Sequence, residues 1–178
     1  MALKSTIFKA DLQIADMDRH HYQDHALTIA RHPSETDRRM MARILAFALN
    51  ADAGLGFTRG LSTDDEPDLW RRSLSDEIEL WIDLGQPDEK RIRKACGRAR
   101  QVKIYTYADR SARIWFGQMK EKLERFGNLQ VIHFPEQAID RLATLAQRNM
   151  QLQCTIQDGA VWIGNAEHSI PVEPETWK

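Results

Sequence analysis

Apolar and polar residues alternate at the start of the chain. Phe8, Ala10, Leu12 and Ile14 fall on one side of an extended segment, and Lys9, Asp11 and Gln13 fall on the other. A half-buried strand has this period of two. Residues 16–19 read as a turn. Residues 20–31 then alternate again, with Leu27 and Ile29 on one face, which completes a long β-hairpin. The period then changes. Met41, Ile44, Leu45, Ala48 and Leu49 recur at helical spacing and mark a buried stripe. Ser34, with Asp37 three residues on, is the expected cap. Short strands are expected over 55–61 and 68–74, and a clear one over 78–84. There Ile78, Leu80, Ile82 and Leu84 share one face, and Glu79, Trp81 and Asp83 share the other.

Gly85-Gln86-Pro87 breaks that strand, and Pro87 suits a helix start. The helix expected over 88–100 has one narrow stripe of Ile92, Ala95, Cys96 and Ala99. A strand over 102–107 follows, then a helix over 111–126 closed by Gly127. Next come a strand over 129–134 and a helix over 136–148. Asp158-Gly159 is a two-residue hairpin turn between strands over 152–156 and 160–163. The tail after Pro171 is expected to be loosely ordered. The order is hairpin, α-β-β-β-α-β, α-β-α, hairpin. Helices between strands imply parallel pairing in a layered sheet. The expected fold class is therefore α/β (α+β with a mixed sheet), in a single domain over 1–178.

Composition changes this picture little. With 42% hydrophobic residues in 178, the chain can bury a sizeable core. Twenty-five Lys plus Arg against 26 Asp plus Glu leaves a net charge of −1, which speaks against binding nucleic acid or membrane by bulk charge. That average hides a switch. Residues 64–89 hold ten acids and two arginines, and residues 90–103 hold seven cations and no acid. Cys96 and Cys154 make neither a CxxC pair nor a zinc spacing. No signal peptide and no 18-residue apolar stretch is present. A soluble cytoplasmic protein with reduced thiols, and no membrane partner, is expected.

The candidate chemistry lies at the charge switch. Asp68 opens one expected strand and Asp83 comes late on the next. If these strands are neighbours, the two carboxylates can approach and hold a hard cation, Mg2+ or Mn2+, with waters. Such an ion would activate water and stabilise charge on a phosphate. Glu35 adds a third acid, and Glu79 stands at the mouth. Each acid also has an ordinary explanation, as a solvated loop residue or as a partner of a helix dipole. The cations of 90–103 read either as a phosphate-contacting ridge or as the solvated face of an amphipathic helix. His21 and His25 are four apart, about 13 Å on a strand, too far to share an ion. Nothing suggests an organic cofactor.

The α-β-β-β-α-β order, with an acid on its first helix, Pro67-Asp68 on the second strand and Asp83 late on the third, resembles the PD-(D/E)XK nuclease core, here over about 34–107. More specifically, residues 32–36, 57–61, 64–70, 80–85, 86–91 and 155–162 resemble the bacterial YaeQ family. The resemblance implies a restriction-endonuclease-like core with added N-terminal and C-terminal β-hairpins. It also implies a metal-dependent phosphodiesterase acting on nucleic acid, with Asp68 and Asp83 on the metal and Glu35 supporting them. The nuclease pattern has a lysine two residues after the second acid, where this chain has Gly85. Arg91 or Lys94, on the following helix, would then hold phosphate. The missing lysine motivates the alternative, a non-catalytic descendant that binds nucleic acid or a protein. The terminal hairpins offer a third reading, capture of a partner along a strand edge. Neither partner nor oligomeric state is fixed by the sequence.

Overall fold

In a computed structural model, which describes residues 4–58 and 65–178, the N-terminal alternation forms β1 (Thr6–Asp16) and β2 (His21–Arg31), paired antiparallel in unbroken register. Every second residue of β1 from Phe8 to Asp16 is buried, as the pattern requires. Helix α1 (Asp37–Asn50) follows, then β3 (Leu55–Phe57), β4 (Leu69–Arg72), β5 (Ile78–Leu84), α2 (Glu89–Arg98) and β6 (Ala99–Thr106). The second half contains α3 (Asp109–Leu123), β7 (Leu129–His133), α4 (Glu136–Ala143), β8 (Asn149–Gln157), β9 (Ala160–Gly164), β10 (Ser169–Val172) and β11 (Glu175–Thr176).

The strands form two mixed sheets. One has the order β10-β9-β8-β1-β2, with β1 and β8 parallel. The other has the order β11-β7-β6-β5-β4-β3, with β5, β6 and β7 parallel. Helices α1 and α4 are shared between them. One apolar cluster joins Leu12 and Ile29 of the first sheet, Ile44 and Leu45 of α1, Ile139 and Leu142 of α4, and Leu69 and Ile82 of the second sheet. On the far face of the second sheet, Trp81, Val102, Ile104 and Val131 pack against Ile92 of α2 and Leu123 of α3. The expected mixed α+β class holds. The two terminal hairpins are parts of one sheet, because β8 docks parallel on β1.

Several expectations are corrected. The cap of α1 is Thr36, whose hydroxyl accepts from the Arg39 amide. Ser34 instead bonds the His32 ring. Helix α2 ends at Arg98, since Ala99 already pairs with Ile78 in the sheet. Helix α4 stops at Ala143, and β8 starts at Asn149. The tail is not loose: Ile170 and Val172 are buried, and β11 pairs with β7. Its signal was missed because each strand is too short to show a period. The register also shifts between Arg71 and Arg72, leaving Glu79 as an extra residue of β5 opposite that step. Such a bulge reverses the alternation on one side of it. Ile78 therefore joins Trp81 in the far cluster, away from Leu80 and Ile82, and Glu79 pairs with Arg71 of β4, whereas Asp83 pairs with Arg91 of α2. The expected strand at 55–61 is seen to Phe57. Positions 59–64, with Asp64, lie outside the described residues.

Candidate functional site

The parallel strands β5, β6 and β7 end at Leu84, Thr106 and His133, and α2, α3 and α4 each begin shortly afterwards. In open α/β sheets, ligands gather in the crevice beyond these carboxyl ends. Helix α1 also starts here, since Arg38 in its first turn donates to the Tyr107 carbonyl and to Glu136.

The structure brings Glu35, Asp68 and Asp83 to this end of the sheet, and all three are buried. Asp68 sits one residue ahead of Leu69, which is paired with Ile82, so Asp68 lies beside Asp83 in the ladder. The expected proximity of the two strands is therefore correct. The carboxylates, however, are closed by guanidinium groups. Arg39 Nη2 lies 2.9 Å from both oxygens of Asp68, and the Leu84 amide donates to Asp68 Oδ2 at 2.8 Å. Arg43, fully buried, donates to Glu35 Oε1 through Nε at 3.1 Å and Nη2 at 2.7 Å. Arg39 also reaches Glu35 Oε2 at 3.3 Å. Arg91 holds Asp83 bidentately, with Nε to Oδ2 at 2.8 Å and Nη2 to Oδ1 at 3.0 Å. Two arginines of α1 and one of α2 thus meet three acids at the strand ends.

Helix geometry explains the α1 part. Arg39 and Arg43 are four apart, so they line one face, and Glu35 stands one turn ahead of Arg39. Burial opposes the charge on Arg39, but Asp68 and then Glu35 outweigh it and raise its pKa. For the Tyr107 hydroxyl, which lies near the same groups, burial itself raises the pKa. Around Arg91, the Asp88 carboxylate caps α2 by accepting the Arg91 amide at 2.8 Å. Arg91 also donates to the Glu66 carbonyl at 2.9 Å and lies over the Trp81 ring. Lys94 is paired with Asp65. Arg91, Lys94, Lys90, Asp65 and Asp88 line a cavity of about 540 Å³.

Gly85 has a physical reason. Its φ is +100°, a conformation that side chains rarely adopt, and its amide donates to the Tyr105 carbonyl at 2.8 Å. A lysine at this position would be strained on this backbone. Among the described residues, no group of three or more His, Cys, Asp or Glu side chains is arranged to hold a metal ion.

The sequence reading named the acids and missed their partners Arg39 and Arg43. The available signal was an arginine at 43, between Met41 and Ile44 in an apolar stripe. It also missed a network beside the site. The Thr106 hydroxyl meets His133 Nδ1 at 2.7 Å, and His133 Nε2 meets Asp109 at 2.7 Å. Asp109 and Glu136 each accept the other's backbone amide, which ties the starts of α3 and α4 together. The distance argument against the two histidines also fails: His21 Nε2 and His25 Nε2 are 2.9 Å apart. The backbone separation left out the reach of two rings lying toward each other along the strand. Burial, then the neighbouring His21, lowers the His25 pKa.

A model of the YaeQ protein family matches residues 1–174. The chain belongs to the YaeQ family. It is 48% identical over 178 residues to a YaeQ protein of Salmonella typhi and 47% identical to one of Escherichia coli, covering all of this chain and 98% of each relative. Both relatives are named only as uncharacterized YaeQ proteins. The crystal structure of a YaeQ protein from Xanthomonas axonopodis pv. citri superposes with a TM-score of 0.94 at 48% identity, covering 98% of both chains. That of Pseudomonas syringae gives 0.93 at 33% identity, covering 98% of this chain and 96% of the other. The YaeQ fold is therefore common to chains that differ at two thirds of their positions. Among the described residues, no helix is long and apolar enough to cross a membrane.

Proposed function

We propose that this YaeQ chain is an interaction protein, a non-catalytic relative of nuclease-like domains that binds its partner at the carboxyl ends of β5 and β6. One observation carries the reading: each acid that a metal would need is already engaged by an arginine. Asp83 is held bidentately by Arg91, Asp68 by Arg39, and Glu35 by the buried Arg43. A divalent ion would have to displace these guanidinium groups, and in the Glu35 pair it would leave a buried cation uncompensated. The residues meant to hold phosphate are engaged as well, Arg91 on Asp83 and Lys94 on Asp65. The element order α1-β3-β4-β5-α2-β6 supports the kinship with PD-(D/E)XK nucleases, and Gly85 in place of the lysine supports the loss of catalysis. The reading includes a cytoplasmic location.

The experiment is binding of labelled DNA, RNA and candidate proteins at several salt concentrations, beside a cleavage assay with Mg2+ and Mn2+. Binding without cleavage is expected. Nucleic-acid binding would weaken steeply with salt, and binding indifferent to salt would indicate a protein partner. The adjacency of Asp68 and Asp83 keeps the enzyme as the second reading, with Asp68, Asp83 and Glu35 on the metal and Arg91 or Lys94 on the phosphate. Metal-dependent cleavage that disappears in Asp83→Ala would establish it and overturn the first.

A further inference from the structure

We propose that His21 and His25 form a site for one imidazole-preferring divalent metal ion, of the zinc, copper or nickel class, completed by water. The inference is independent of the function proposed above, because the pair lies on β2 of the other sheet. Their Nε2 atoms are 2.9 Å apart, and the ring planes differ by 17°. The 5.2 Å between ring centroids is that distance plus one ring radius at each end, so the nitrogens face each other. Among the described residues, neither ring has another hydrogen bond. Without metal, one Nε2–H donates a hydrogen bond and the other Nε2 accepts it. On metal binding, the donor ring moves its proton to Nδ1, and both Nε2 lone pairs become ligands, with no net proton released.

The surroundings suit an ion. A tetrahedral zinc with Zn–N bonds of about 2.05 Å needs its nitrogens about 3.3 Å apart and each ring turned about 35° off the line that now joins them. Strand β2 is an edge strand, and both rings are half-exposed, so this movement and the entry of water are open. Phe47 meets the His25 ring edge-on at 5.2 Å and stacks on Phe57, which fixes the His25 ring from its inner side. A cavity of about 390 Å³ lined by Gln23, His25, Phe47 and Phe57 adjoins the pair and has room for the water ligands. Borderline divalent ions prefer imidazole nitrogen, whereas magnesium and calcium do not.

The test is calorimetric titration of the full chain with Zn2+ and Ni2+ in a non-coordinating buffer, together with NMR of the imidazole nitrogens. One ion per chain with micromolar affinity is expected, with the Nε2 signals of His21 and His25 shifting together. His21→Ala and His25→Asn should each weaken binding at least about tenfold, since losing even a supporting contact of a metal ligand costs that much. His32→Ala, whose ring bonds Ser34, should change nothing. Thermal melts of the variants check folding, and the NMR on the parent chain needs no variant. No saturable binding, equal affinity in the folded variants, or shifts confined to other histidines would overturn the proposal.

Discussion

Replacing Glu35 by Gln separates the two uses of the acidic cluster by the sign of its effect. Arg43 is fully buried, and Glu35 supplies the carboxylate that balances it. Its Nη1 has no hydrogen-bond partner among the described residues, its Nη2 also donates to the Ala30 carbonyl at 3.2 Å, and its guanidinium lies over the Phe57 ring. Glu35→Gln keeps the volume and removes the charge. An uncompensated buried partner typically costs about 3–5 kcal/mol. For a chain of this size, each kcal/mol lowers the melting temperature by about 2–4 °C, so a fall of about 6–20 °C is expected. The double variant Glu35→Gln with Arg43→Met removes both charges and should recover at least half of the loss. Urea unfolding followed by the fluorescence of the buried Trp81, with calorimetry beside it, measures both. If the three acids were instead a cation site, they would repel one another in the free protein, and neutralising one would stabilise it. Unchanged or increased stability of Glu35→Gln would therefore refute the reasoning, as would a double variant no more stable than the single one.

Gly85→Ala should lose about 1–3 kcal/mol through its positive φ, although a Cβ there meets nothing within 4 Å; a urea midpoint equal to the parent's would show that the backbone relaxes freely. Burial pushes the thiol of Cys96 up to about 11 and that of Cys154 up to about 12. Alkylation near neutral pH, followed by mass spectrometry, should therefore be slow in the native chain and fast in urea, because the thiolate is the nucleophile. The Glu136 amide, then the His133 ring, holds the Asp109 carboxyl below the ordinary aspartate value of 3.8. A depressed acid contributes stability above its unfolded pKa and loses it as the pH falls through the folded one. Parent and Asp109→Asn should therefore differ near neutral pH and converge in acid. Because Asp109 is half-exposed, a gap below about 1 kcal/mol is expected, and a gap that widens in acid would contradict the assignment.

Local pattern by itself determined most of the elements, because burial on one face of a strand or helix writes its period into the residues that must be apolar. Phe8 to Ile14, the α1 stripe and the Asp158-Gly159 turn are all in the structure. It also determined which acids gather, since Asp68 and Asp83 fall at the ends of adjacent strands. Contacts distant in sequence decided the rest. The parallel docking of β8 on β1 merges two hairpins into one sheet, and the bulge at Glu79 reverses a face that the alternation had assigned. The state of the site belongs to the same class. Whether an acid holds a cation or an arginine depends on which side chain reaches it. Arg39 reaches Asp68 across 29 residues, a pairing that charge spacing cannot encode. His21 and His25 meet because two side chains span a distance that the backbone alone leaves open. Sequence periods record where a residue is buried, and only the packed structure records against what.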